Sequence, residues 1–191
     1  MTTRSRTRAL GSAASLVAVM VLISACNDPD PQPPVTSSWT TTTSTSTAST
    51  STPTPLNPAQ RDIKSAEETI GRYWRVLDQL AADPKKSLNL ISTVARGQAA
   101  SQSRVELGAL QAKGWTQVGQ SVVRSSSATT KDGKAFAVVA CIDVSGVDVV
   151  DTAGTSVVKA GRPDRQEYTY TVSKVPQGFF VTVDTLKGKP C

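Results

Sequence analysis

The apolar residues change period once, at Trp115, and that change limits what the chain can fold into. Upstream, Ile63, Ala66, Ile70, Tyr73, Trp74, Leu77, Leu80 and Ala81 recur at three- and four-residue spacing, which describes one apolar helical face. Arg61, Lys64, Glu67, Glu68, Arg72 and Arg75 fall largely off that face. Asn57-Pro58 supplies a capping side chain and a pre-set φ at the helix start, and Asp83-Pro84 ends it. A second, short helix carries Leu88, Ile91 and Val94; a third, over 98–112, offers Ala99, Ala100, Ser103, Leu107 and Leu110 and stops at Gly114. Downstream the period is two. Residues 115–122 alternate as a half-buried strand, and Lys131-Asp132-Gly133-Lys134 turns the chain into a strand over 135–144. The continuous apolar run Phe136-Ala137-Val138-Val139-Ala140-Cys141-Ile142 marks that strand as the sheet centre. Residues 147–150 follow, with Gly154 turning the chain towards Val157-Val158, and a last pair, 166–175 and 179–186, is joined at Pro176-Gln177-Gly178. Helices first and an antiparallel sheet afterwards define an α+β fold, three N-terminal helices packed on the sheet.

The preceding 56 residues do not belong to that fold. From 36 to 54 every residue is Ser or Thr except Trp39, Ala48 and Pro53, behind a proline-rich opening at Asp28-Pro29-Asp30-Pro31. With almost no apolar surface to bury, the segment cannot offset the entropy of ordering itself. As a tether it spans about 30 Å coiled and about 90 Å if polyproline-like. Ser and Thr with proline also resemble O-glycosylated stalks.

Further upstream, Arg4, Arg6 and Arg8 precede a mostly apolar stretch over 10–23, then Ser24, Ala25 and Cys26, the three parts of an export signal. The stretch is shorter than the roughly 20 residues of a spanning helix and is broken by Gly11, Ser12 and Ser15. Leu22-Ile23-Ser24-Ala25-Cys26 resembles the lipobox of bacterial lipoproteins. The resemblance implies cleavage before Cys26 and a thioether-linked diacylglycerol on it. It gives three parts: signal peptide 1–25, lipidated Cys26 and tether 26–56, folded domain 57–191, held at the extracytoplasmic face of the cell membrane. A cleaved signal with an incidental cysteine, or an uncleaved anchor, are the alternatives.

Composition then excludes several functions. Histidine is absent, which removes Ser-His-Asp and Cys-His catalysis and histidine-based zinc sites. Residues 57–191 carry 18 basic and 13 acidic side chains, a formal +5, spread along the sequence without a basic cluster interleaved with aromatics, so no nucleic acid is expected as partner. If Cys26 is acylated, Cys141 and Cys191 remain as one pair in an oxidising compartment, where a disulfide is the default. A reactive thiol is the alternative, although no basic residue adjoins Cys141.

Val139-Ala140-Cys141-Ile142-Asp143-Val144-Ser145-Gly146, then Val149-Val150-Asp151 and Gly154, resembles extracytoplasmic actinobacterial lipoproteins of the nuclear-transport-factor-2-like (NTF2-like) superfamily. Gly178-Phe179-Phe180-Val181-Thr182-Val183 and Cys191 fit too, with Phe180 where such proteins often carry tryptophan. Related reading frames occur in actinobacterial phages and prophages. The resemblance implies a cone in which the helices pack into a curved antiparallel sheet, with Cys141 bonded to Cys191. It further implies a non-catalytic, membrane-anchored binding module engaging an envelope or phage protein, one version being prophage-mediated superinfection exclusion, and a homodimer formed through the sheet.

The cone of this fold often encloses a pocket, and relatives such as ketosteroid isomerase and scytalone dehydratase work with an acid or base inside it. Asp143, the carboxylate of the central strand, is read first as a strand-end residue bonding the Ser145-Gly146 turn; a base inside the pocket is its alternative role. Tyr73, Trp74, Tyr168 and Tyr170 line such a pocket or fill the core, and Arg72 and Arg75 beside them form a solvated face or an anion clamp. Asp148 and Asp151 lack the dense oxygen spacing of a calcium loop. No phosphate loop or nucleophile elbow is present, so no catalytic residue, metal or cofactor is assigned. An open polar cavity on Asp143 points to a small pocket enzyme; a cone filled by Trp74, Leu77 and Phe136 points to the binding module.

Overall fold

The computed structural model describes residues 55–191. The expectations for the export signal, for Cys26 and for the Ser/Thr-rich tether up to residue 54 lie outside the described residues.

Helix α1 (Pro58–Ala82) begins at a complete capping box: the Asn57 side chain accepts from the Gln60 backbone and the Gln60 side chain from the Asn57 backbone, both at 2.9 Å. Its stripe buries Ala66, Ile70, Tyr73, Leu80 and Ala81. The second helix is a 3₁₀ segment (Leu88–Thr93). Ser92 and Thr93 donate their hydroxyls to the carbonyls of Asn89 and Leu90, three residues back, a local pattern that competes with α-helical pairing. Helix α2 (Gly97–Lys113) ends at Gly114, whose left-handed conformation (φ 68°) lets its N–H reach the carbonyls of Leu110 and Gln111.

The expected strand over 115–122 is a three-residue strand, a break, and the first residue of a second strand that belongs to a different sheet. Strand β1 (Thr116–Val118) pairs with β4 (Asp148–Val150), and β2 (Val122–Thr130) begins only after a break. Gly119 makes the break: at φ 80°, a Cβ there would lie 1.8 Å from the Gly146 carbonyl oxygen. The Ser/Thr-rich β2 has a weak apolar alternation, so its pairing with β3 (Ala135–Asp143) rather than its composition makes it a strand.

Strands β2-β3-β5-β6 form one antiparallel sheet, with β5 at Arg165–Val175 and β6 at Gly178–Leu186. Strand β3 holds an inner position, as its apolar run predicts, but it is buried on one face: Phe136, Val138, Ala140 and Ile142 meet the helices, while Val139 is 48% exposed. The inner face adds Tyr170, Val172 and Val181, and the α+β class with helices packed on a curved sheet holds. The Cys141–Cys191 disulfide is formed, Cα atoms 5.8 Å apart, tying β3 to the tail.

Strand β6 contains the irregularity that matters most. Thr171 pairs with Val183 but Val172 pairs with Val181, so Thr182 is an extra residue, a β-bulge. The Thr182 hydroxyl donates to the Thr171 carbonyl at 3.1 Å, and the Val181 N–H turns away to Val94 at 3.0 Å.

Candidate functional site

A cleft of about 270 Å³ opens between α1, α2, β1 and the inner face of β5 and β6, with Trp74, Leu110, Gln117, Tyr168 and Asp184 among its walls. Its chemistry starts at the bulge. Strict alternation would put Asp184 opposite Phe179 and Val181, on the outer face; the extra residue at Thr182 reverses the phase and brings Asp184 inward, beside Tyr170 in register. Gln98, at the start of α2, then holds the Asp184 backbone like a neighbouring strand: its Oε1 accepts the Asp184 N–H at 2.9 Å and its Nε2 donates to the Asp184 carbonyl at 3.1 Å.

Behind the cleft stands an aromatic block. The Tyr73 hydroxyl donates to Asp184 Oδ2 at 2.8 Å and lies 2.8 Å from Ser103 Oγ. Trp74 Nε1 donates to the Tyr170 hydroxyl at 2.9 Å, and the Trp74 and Tyr168 rings meet edge to face at 5.3 Å. Asp184 Oδ1 is buried and accepts no hydrogen bond from the described residues. Burial, reinforced by the Glu106 charge and opposed by the Tyr73 hydrogen bond, pushes the Asp184 carboxyl up to about 6. The same burial and the Asp184 charge raise the phenols of Tyr73 and Tyr170, and that of Tyr168 to about 12. Asp78 completes the wall, accepting from Gln117 Nε2 at 2.7 Å and from the Ser121 N–H at 3.0 Å.

Of the expected pocket residues, Trp74 and Tyr168 line the cleft, while Tyr73 and Tyr170 are core residues immediately behind it, 1% and 3% exposed. Asp143 is elsewhere, and its placement among the pocket residues is corrected: it does not line the cleft. It shares strand parity with Val139 and Cys141, the face away from the helices. Its carboxylate accepts from the Ser145 hydroxyl at 2.6 Å, the Ser145 N–H at 3.0 Å and Arg124 Nε at 2.9 Å, with Arg165 Nε at 3.5 Å. The Ser145 bonds, then Arg124, hold it well below the usual carboxylate range. The strand-end role is the one it fills. Asp148 and Asp151 likewise cap local turns, accepting from Ser156 Oγ and from the N–H groups of Ala153 and Thr155.

Asp184 is the residue that periodicity hides. Its one signal is that it is the only charged side chain between Gly178 and Leu186.

No protein-family model matches the chain, and no curated protein is similar to it in sequence. Among solved structures, a candidate aromatic ring hydroxylase from Novosphingobium aromaticivorans is similar at 12% identity and TM-score 0.50, over 66% of this chain and 87% of that one. An NTF2-like protein with a cystatin-like fold from the same organism has 15% identity and TM-score 0.40, over 66% and 82%. The intermembrane-space region of the chloroplast protein ARC6 has 13% identity and TM-score 0.49, over 69% and 98%. At 12% identity the likeness to the ring hydroxylase is one of fold.

Proposed function

We propose that this chain is a lipid-anchored binding module on the outer face of a membrane, taking a small ligand into the Asp184 cleft without transforming it. The observation that carries the reading is the cleft itself, set between helices and sheet and walled by Trp74, Tyr168 and Asp184. The anchor at Cys26 and the Ser/Thr tether belong to the same proposal, because a domain held about 30–90 Å from its anchor samples the envelope space. An envelope or phage protein as partner, and with it superinfection exclusion, rests on the sequence resemblance alone, as does homodimerisation through the sheet.

A second reading, proton-transfer catalysis at Asp184, is favoured by one observation, a carboxyl raised to about 6. Against it, Oδ2 is taken by Tyr73 and Oδ1 is sealed from water, so neither oxygen meets a substrate without rotation of the side chain. A fragment screen followed by NMR separates the readings. Binding that perturbs the Trp74 indole, is lost in Leu110→Trp and returns the fragment unchanged supports the module. A chemically altered fragment supports catalysis, and no cleft perturbation by any fragment rejects both. For the anchor, Cys26→Ala is expected to move the protein out of the membrane fraction; unchanged fractionation in detergent-free buffer rejects lipidation.

A further inference from the structure

The cleft's charge is the reverse of its surroundings. Residues 57–191 carry a formal +5, yet Asp78, Glu106 and Asp184 line the cleft and no lysine or arginine of the described residues does. Ion pairs form elsewhere: Asp143 with Arg124 and Arg165, Asp62 with Lys174, Glu167 with Lys189 and Glu68 with Lys64. None of the three cleft carboxylates lies within ion-pair distance of a lysine or arginine among the described residues. Asp78 is satisfied by Gln117 and Ser121, and among the described residues Glu106 accepts only from Gln102 Nε2 at 2.9 Å. Asp184 Oδ1 has no hydrogen-bond partner among the described residues.

A buried carboxyl without a counter-charge costs free energy that a cation in the cleft would recover. The other walls suit such a guest. Indole and phenol rings attract ammonium groups through their quadrupoles, more strongly where water is excluded, and Trp74 and Tyr168 stand on the same cleft as the carboxylates. Because Oδ1 is out of reach of water, the Asp184 charge is poorly screened and acts across the cleft even without direct contact. Arg162, whose charge partly opposes the rise of the Tyr168 phenol, is engaged with the carbonyls of Val144 and Val147 and leaves the balance negative.

Resting on the reading of the cleft as a ligand site, we infer that its ligand is a small organic cation: a protonated amine or quaternary ammonium bearing an apolar group, seated against Trp74 and Tyr168 in the combined field of Asp184 and Glu106. An anionic ligand would meet three carboxylates and no lysine or arginine among the described residues.

The test uses the full-length protein in non-ionic detergent and three probes of one shape: benzylammonium, benzyl alcohol and benzoate. NMR follows the Trp74 indole. Benzylammonium is expected to saturate the shift and bind at least about tenfold more tightly than the alcohol, with benzoate weakest. Asp184→Asn should weaken the cation roughly tenfold and Glu106→Gln a few-fold, each narrowing the cation's advantage over the alcohol. Asn keeps an acceptor for Tyr73, so this variant should fold; Glu106→Gln, on an exposed helical position, gives the same direction independently. Benzyl alcohol or benzoate binding as tightly as the cation overturns the cation and leaves the cleft reading standing. Failure of all three to perturb Trp74 overturns both.

Discussion

Asp143 and Asp184 sit on opposite faces of one sheet, both withdrawn from water, and their surroundings treat them in opposite ways. Asp143, 5% exposed, is saturated: a serine hydroxyl, a backbone N–H and two arginines hold it ionised. Asp184 receives one phenol, keeps one oxygen without a partner among the described residues and is raised to about 6. A carboxylate that fastens structure has its lone pairs filled. One left short of donors destabilises the fold, and that deficit is what a ligand can use. The two residues therefore separate scaffold from site within one domain.

The comparison can be broken from either side. On the scaffold face the largest effect is expected from Cys141→Ser, two residues from Asp143. Opening a loop of 50 residues should cost about 4 kcal/mol in chemical denaturation under non-reducing conditions. Two freely labelling thiols in the native protein would contradict the bridge. Asp143→Asn should come next, lowering the unfolding midpoint by several degrees because Arg124 and Arg165 lose their counter-charge. An unchanged midpoint would mean that Asp143 is not structural.

On the cleft face the sign reverses. The Asp184 carboxyl rises from 3.8 to about 6 on folding, so between those values the folded protein holds more protons than the unfolded one. Its contribution is fully present below pH 4 and lost as pH rises through about 6. Asp184→Asn should therefore stabilise the protein by up to about 3 kcal/mol at neutral pH, and by little at pH 4. Destabilisation at neutral pH would show that its charge supports the fold. Asp143, held low, behaves oppositely: its contribution persists above the usual carboxylate range and fades only as acid protonates it. The smallest effect belongs to Glu106→Gln, which should lower the Asp184 titration midpoint by less than about one pH unit by removing the neighbouring charge.

The scaffold was far more legible in the sequence than the site. Residues that cap, stop and stripe a helix do so through local rules, and Asn57-Pro58, Gly114 and the Ile63-to-Ala81 face were read from neighbours a few positions away. The role of Asp143 was readable for the same reason, since its first partner is Ser145. Asp184 depends on Thr171, Val172, Gln98 and Tyr73, none of them nearby in sequence, and on a bulge that inverts the alternation by which strands are read. Tyr73, Trp74, Tyr168 and Tyr170 were identified as a group, but which two face the cleft follows from packing. Gly119 hid the start of β2 similarly, its constraint coming from Gly146 across the fold.

The most direct measurement is a side-chain carboxyl ¹³C titration that resolves Asp143 and Asp184 in the same sample. Asp184 titrating near pH 6 while Asp143 remains ionised below the usual carboxylate range is the expected result. Asp184 titrating with the ordinary exposed carboxylates, near pH 4, would contradict the division of the two faces into scaffold and site.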